Sequence, residues 1–252
     1  MGTVNIQSVE RAINILKCFE NSSELRGTEI GKMLGINKST VFGLIRTLEK
    51  NNFLEQNKET GKYRLGFAVF QLGLLVNFDL KYIASPYVDE LSKYTQETVN
   101  LVIRDGNYVL YIKKQESPHS MRICTKEGQH MPIHCTAVGK SILAFLPDDE
   151  IEDILDSINY EKFTPNTLDS KEAVLKELPK IRESLLSYDR EEFELGLFCV
   201  ASPVFDSKGR PVGGVSVSGP ITRMNEAALE NISQRLLKAT GEINARLKEK
   251  SL

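Results

Sequence analysis

The segment "PIHCTAVGK", residues 132–140, gathers His134, Cys135, Thr136 and Lys140 around the small residues Ala137, Val138 and Gly139. Several chemistries compete for it. A phosphate cradle of the form G-x-x-x-x-G-K-[ST] needs glycine at position 134, where the chain has histidine, so Gly139, Lys140 and Ser141 are only half a motif. A metal site could use His130 and His134, but Pro132 between them breaks the helix that would align them. Convergence of Cys124, Cys135 and Cys199 in space stays open. A nucleophile–base pair fails if residues 133–135 are extended, because neighbours on a strand point to opposite faces. What remains is a helix "AVGKSILAFL" capped by Thr136 or Cys135, with the amides of Ala137 and Val138 unpaired at its start. Such an end favours an anion, and a carboxylate in particular fits it.

Elements must position this segment. In the first eighty residues, Val9, Ala12, Ile13, Leu16 and Phe19 fall at helical spacing behind Ser8, a plausible N-cap. A second helix carries Ile30, Met33 and Leu34 as its buried stripe and stops at Gly35. Asn37 caps a third, with Ile36 and Val41 as hydrophobic staple and Val41, Leu44, Ile45 and Leu48 on its buried face. The opposite face shows Lys38, Ser39, Thr40, Gly43, Arg46 and Lys50, which are small, polar and basic groups suited to a major groove. Two short extended runs around Thr60 and Gly61, carrying Lys58, Lys62 and Arg64, read as a basic wing. The pattern predicts a winged helix-turn-helix over residues 1–66, with Lys38, Ser39, Thr40, Gly43, Arg46 and Lys62 as DNA-binding residues. From Phe67 to Phe78 the chain is apolar nearly all round, which predicts a linker helix, over 67–80, that packs on a second copy.

Residues 81–252 read differently. "ASPYVDELSKYTQET" predicts a helix opening at Ser85 and Pro86. "TVNLVIRDGNYVLYIKK" is a hairpin turning at Asp105 and Gly106, "MRIC" a further strand, and "FCVASPVFDSKGRPVGGVSVSG" a second hairpin turning at Ser207–Gly209. Helices are expected near 148–158 and 170–187, with a long one at the end. Hairpins mixed with helices, without βαβ alternation, define an α+β domain on a central antiparallel sheet.

The bulk numbers agree with two domains. A chain of 252 residues with 41% hydrophobic and 26% charged residues buries a sizeable core. Neither a leader pattern nor a membrane-length apolar run is visible, and the four cysteines lack a C-x-x-C pair, so a cytoplasmic protein with reduced thiols is expected. Residues 1–78 hold 10 of the 32 Lys+Arg and 7 of the 34 Asp+Glu, leaving 22 against 27 in the rest. A basic front and an acidic remainder suit a chain whose first part meets nucleic acid.

"GQHMPIHCTAVGKSILA", "YDREEFELGLFCVASPVFDSKGRPVGGVSVSGP" and "IGKMLGINKSTVFGLIRTLEKNNFL" together resemble, in order and over essentially the whole chain, the IclR family of bacterial transcriptional regulators. The resemblance implies a ligand-responsive regulator, a repressor of catabolic genes by expectation. It would combine a winged helix-turn-helix, a linker helix and a GAF-like effector domain, act as a homodimer or homotetramer on operator DNA, and need no cofactor. It also implies an effector site of Ala137, Val138, Asp189, Cys199, Ser216 and Ser218, with Ile123, Met131 and Leu197 as apolar lining. Ser216 and Ser218, two apart on a strand, can donate to one carboxylate. Asp189 would repel a dianion, which favours a hydroxy- or keto-monocarboxylate. Each residue also has a plainer use: Asp189 could cap a turn, Cys199 could fill space, and the serines could satisfy neighbouring backbone. The alternatives are a thiol-dependent enzyme acting on a small carboxylate through Cys199 or Cys135, and a sensor whose winged helix contacts protein.

Overall fold

The computed structural model describes residues 5–75, 79–123 and 125–250, and the backbone alone at Asn21. It divides into two compact units, Met1–Asn77 and Phe78–Leu252.

In the first unit, helices α1 (Gln7–Lys17), α2 (Gly27–Leu34) and α3 (Lys38–Lys50) precede strands β1 (Leu54–Gln56) and β2 (Tyr63–Leu65) and helix α4 (Phe67–Leu75). The strands pair antiparallel, Leu54 opposite Leu65. Ile15, Phe19, Ile30, Val41, Ile45 and Leu54 form the core, against which Ile36, Leu44 and Leu48 pack. Gly35 ends α2 at φ 63°, and the Asn37 side chain accepts the Thr40 amide, so the turn between α2 and α3 is built as the sequence predicts.

Helix α1 is rotated from its predicted setting. Ile6 rather than Ser8 is the N-cap, and Ile15, Cys18 and Phe19 face inward while Val9 and Ile13 stay exposed. The apolar residues of α1 lie on more than one side, so periodicity placed Leu16 and Phe19 correctly but chose Val9 and Ile13 over Ile15. Met33 is likewise exposed, because α2 lasts only eight residues and Ile30 already fills the core. None of the residues of α4 is buried within the chain, with Phe67, Phe70, Leu74 and Leu75 prominent among those exposed. Of the rest of its predicted span, 67–80, residues 76–78 lie outside the described residues, and Asp79 and Leu80 open the next helix instead.

The second unit is a six-stranded antiparallel sheet in the order β5-β4-β3-β8-β7-β6. Its strands are β3 (Thr98–Asp105), β4 (Tyr108–Gln115), β5 (His130–Pro132), β6 (Ser187–Arg190), β7 (Leu197–Phe205) and β8 (Pro211–Pro220). Side chains alternate between two cores. Val99, Leu101, Phe198, Val200, Val215 and Val217 face helices α5 (Asp79–Thr95) and α9 (Glu226–Lys250). Val102, Val109, Tyr111, Leu197, Cys199 and Ala201 face α6 (Ala137–Leu143), α7 (Asp148–Ser157) and α8 (Lys171–Ser184). Helices on both faces of an antiparallel sheet make the unit α+β.

Three sequence expectations change here. Helix α5 starts at Asp79, so Pro86 sits inside it; the proline leaves one carbonyl without its helical donor next to the largely exposed Tyr82. Residues 121–123 form no strand, and Cys124 lies outside the described residues. The Met121 carbonyl accepts instead from Arg223, and β4 beyond Leu110 bonds to Gly128 and Gln129. Helix α8 ends at Ser184, with Leu185 left-handed, which frees β6 to carry Asp189. Among the described residues no single helix is long and apolar enough to cross a membrane.

Candidate functional site

Helix α6 sits where it does because Gly139 lets it. A Cβ at that position would lie 2.3 Å from the Ile133 carbonyl oxygen and 2.6 Å from the Thr136 hydroxyl. Thr136 caps the helix: its Oγ1 accepts from the Gly139 amide and donates to the Pro132 carbonyl. Among the described residues the amides of Ala137 and Val138 meet no protein acceptor, as befits a first turn.

Those amides open on a cavity of about 190 Å³ between α6 and the sheet. The register explains which strand residues reach it. Asp189 on β6 pairs with Cys199 on β7, which pairs with Ser218 on β8, and Ser216 lies two residues along on the same face. All nine residues expected of the effector site line this space: Ile123, Met131, Ala137, Val138, Asp189, Leu197, Cys199, Ser216 and Ser218. Tyr111, Thr125, Gln129, Thr136, Phe193 and Glu194 complete the wall and were not foreseen as lining. Strand alternation around Val109 could have flagged Tyr111; Phe193 and Glu194 lie on a loop with no local periodicity.

Polar groups in the cavity are individually held. Asp189 is 1% exposed and its Oδ1 accepts the Glu192 amide at 2.7 Å, so it does cap a turn while also facing the cavity. Burial, with Glu192 nearby, pushes its carboxyl up to about 7. Ser216 Oγ accepts from Asn100 Nδ2 at 3.4 Å, and Asn100 Oδ1 accepts from Thr125 at 3.0 Å. With its oxygen so engaged, the Ser216 hydroxyl proton is free to turn to a ligand. Burial raises both Cys199 and Cys135, so each stays a thiol at neutral pH.

The remaining chemistry of the opening segment dissolves in packing. Lys140 is 1% exposed and bonded to Glu192, so it is no phosphate ligand. The His134 ring packs on Tyr160 with centroids 5.3 Å apart, and burial lowers its basicity. Among the described residues no group of three or more His, Cys, Asp or Glu side chains is arranged to hold a metal ion.

On the first unit, Lys38, Ser39, Gly43 and Arg46 are exposed along α3 and Thr40 is half-buried. Ser39 bonds to the capping Asn37, and nothing lies within 4 Å of a Cβ placed at Gly43. Lys62 is half-buried beside the wing turn, whereas Arg64 is paired with Glu55 at 3.1 Å.

A helix-turn-helix unit with a basic outward face, followed by an α+β unit holding a small, largely apolar cavity with a few placed polar groups, defines a two-part DNA-binding regulator. Residues 8–58 match the IclR helix-turn-helix domain, and residues 72–245 match the family described as bacterial transcriptional regulator IclR C-terminal. The chain belongs to the IclR family of bacterial transcriptional regulators. It is 38% identical to the HTH-type transcriptional regulator XynR of Escherichia coli over 237 residues, 93% of this chain and 94% of XynR. It is 34% identical to the HTH-type transcriptional repressor AllR of Escherichia coli over 223 residues, 87% of this chain and 82% of AllR. Among solved structures it resembles the IclR of Thermotoga maritima, with a TM-score of 0.78 and 32% identity, covering 97% of this chain and all (100%) of that one. These relatives are named as regulators and not as enzymes, in agreement with the expectation from sequence.

Proposed function

We propose that the protein is a repressor of catabolic genes whose grip on operator DNA changes when a small hydroxy- or keto-monocarboxylate enters the cavity of the second unit. The observation that carries this reading is the single cavity shared by two free helix amides, two serine hydroxyls and a buried acid, without a lysine or arginine among the described residues of its wall. Amides and hydroxyls donate to a carboxylate, and Asp189 meets the ligand's hydroxyl or carbonyl end. The name of AllR supports repression as the sign of control.

Operator DNA is read by Lys38, Ser39, Thr40, Gly43 and Arg46, with Lys62 on a phosphate. The winged helix-turn-helix occupies residues 1–66, a linker 67–80, and the effector and oligomerisation domain 81–252. The exposed apolar residues of α4 support assembly into a homodimer or homotetramer, which places two α3 helices on two half-sites. Ligand acts by favouring one of two placements of these helices. The thiol-enzyme alternative finds no support, since both thiols are buried and protonated.

The test is fluorescence anisotropy against DNA from upstream of the protein's own gene, across a salt series and with an acid panel. Arg46→Ala should cost about 1–3 kcal/mol on operator and relax specificity, and Lys62→Ala should lower the salt slope by about one. Equal losses on operator and random DNA for both variants would remove the DNA-reading assignment.

A further inference from the structure

The charges around the cavity do not balance for a bound carboxylate. Among the described residues its lining contains two acids, Asp189 and Glu194, and neither lysine nor arginine. Glu194 is exposed at the rim, but Asp189 is 1% exposed, and no cationic side chain among the described residues bonds to it. Lys140, the cation whose field reaches Asp189, is itself bonded to Glu192. An anionic ligand closed into this space therefore meets a desolvated carboxylate with no cation left to separate them. Two carboxylates in one desolvated site cannot both ionise and retain one proton between them.

We propose that the effector's carboxylate binds together with a proton, held on Asp189, so that in alkaline solution one proton is taken up for each acid bound and dicarboxylates are rejected. This rests on reading the cavity as a monocarboxylate site. In the free protein the Asp189 carboxyl accepts from the Glu192 amide at Oδ1 and also from the Phe193 amide, and an added proton sits on a lone pair that neither amide uses. A protonated Asp189 becomes a hydrogen-bond donor toward the ligand, alongside the amides of Ala137 and Val138 and the hydroxyls of Ser216 and Ser218. Only a monoanion then matches the wall: a second carboxylate would need a second proton.

Other titratable groups surround Asp189. Cys199 on β7, Cys135 before α6 and Tyr111 on β4 are all pushed up and stay neutral. Burial raises Glu192 as well, against the opposing pull of its ion pair with Lys140, and its charge adds to the upward push on Asp189; Ser218 on β8 does not titrate. The free Asp189 carboxyl titrates at about 7. Below that point the proton is already in place and affinity is level; above it, the dissociation constant should rise about tenfold per pH unit.

The experiment is calorimetric titration of the full chain with pyruvate, lactate, glycolate and gluconate, and with succinate as the dicarboxylate. It is run at about pH 6 and about pH 8.5, in phosphate and in Tris, whose ionisation enthalpies differ. Wild type should take up about one proton per bound acid at the higher pH and bind at least tenfold more weakly there, without binding succinate. Asp189→Asn, which keeps the shape and accepts the Glu192 amide but cannot ionise, should take up none and show a level profile. A monoacid that binds wild type equally at both pH values without proton uptake overturns proton sharing and leaves the carboxylate site standing. Tight succinate binding with no uptake overturns proton sharing, and the monoanion reading with it. No binding by any acid at either pH, with operator binding intact, overturns both.

Discussion

Replacing Lys140 by methionine should destabilise the second unit by an amount that depends on pH, and the size follows from its partner. Lys140 and Glu192 are 1% and 8% exposed at their side chains, and Glu192 Oε2 has no hydrogen-bond partner even with the lysine present. Methionine fills similar volume, so the chief loss is the charge that keeps Glu192 ionised. A stranded buried carboxylate takes up a proton instead. Carrying a group of ordinary value 4.5 in protonated form at pH 7 costs about 3.4 kcal/mol, at about 1.36 kcal/mol per unit, and this is the upper limit of the loss because burial already raises Glu192 with Lys140 in place. That agrees with the roughly 3–5 kcal/mol typical of breaking a buried pair from one side. At about pH 5 the same cost falls to roughly 0.7 kcal/mol.

The sign is fixed by linkage. Burial already raises Glu192 in the wild type against the pull of Lys140, and without that lysine its folded-state value rises further above the unfolded one, so the folded form of the variant is favoured most below 4.5 and loses stability as pH rises. The chain has no tryptophan, so urea unfolding of Lys140→Met would be followed by circular dichroism at the two pH values, fitting the two units as separate transitions. Lys140→Met/Glu192→Leu, which removes both charges, should recover to within about 1 kcal/mol of wild type at either pH. An equal loss at both pH values would refute the reasoning, because it would mean that packing, and not the charge, is what Lys140 supplies.

Two further substitutions probe the backbone. Gly139→Ala should cost about 3 kcal/mol in the same unfolding assay, since its Cβ overlaps the Ile133 carbonyl, and should abolish acid binding by displacing the α6 amides; a variant of wild-type stability would show that α6 shifts freely. Gly43→Ala, in open space on an exposed helix face, should stabilise the first unit by about 1 kcal/mol yet weaken operator binding, and unchanged operator affinity would show that Gly43 does not approach DNA.

Local signals carried the helix-turn-helix well. Gly35 and Asn37 punctuate it by backbone chemistry that needs no tertiary context, and α3 buries Val41 and Ile45 as its spacing requires. The failures came where several faces were equally apolar or where a stop signal met a stronger tertiary demand. Helix α1 offers Val9, Ile13 and Ile15 at once, and only packing in the core shared with α2 and α3 selects Ile15. Pro86 reads as a helix start, but the apolar contacts of Leu80, Ile83 and Ala84 with the sheet extend α5 through it.

The cavity illustrates a different limit. Its polar groups come from α6, β6, β7 and β8, so no spacing rule links Ala137 to Ser218; resemblance named them, and strand register accounts for their meeting. Lys140 was the residue most open to misreading. In a helix of seven residues that are all buried, a lysine must have a buried partner, yet that partner is 52 positions away on the loop that carries Phe193 and Glu194 to the cavity. The same ion pair that removes Lys140 from ligand chemistry thus anchors part of the cavity wall. It also leaves Asp189 without a cation of its own, and a site built in this way selects its ligand by counting charges as much as by shape.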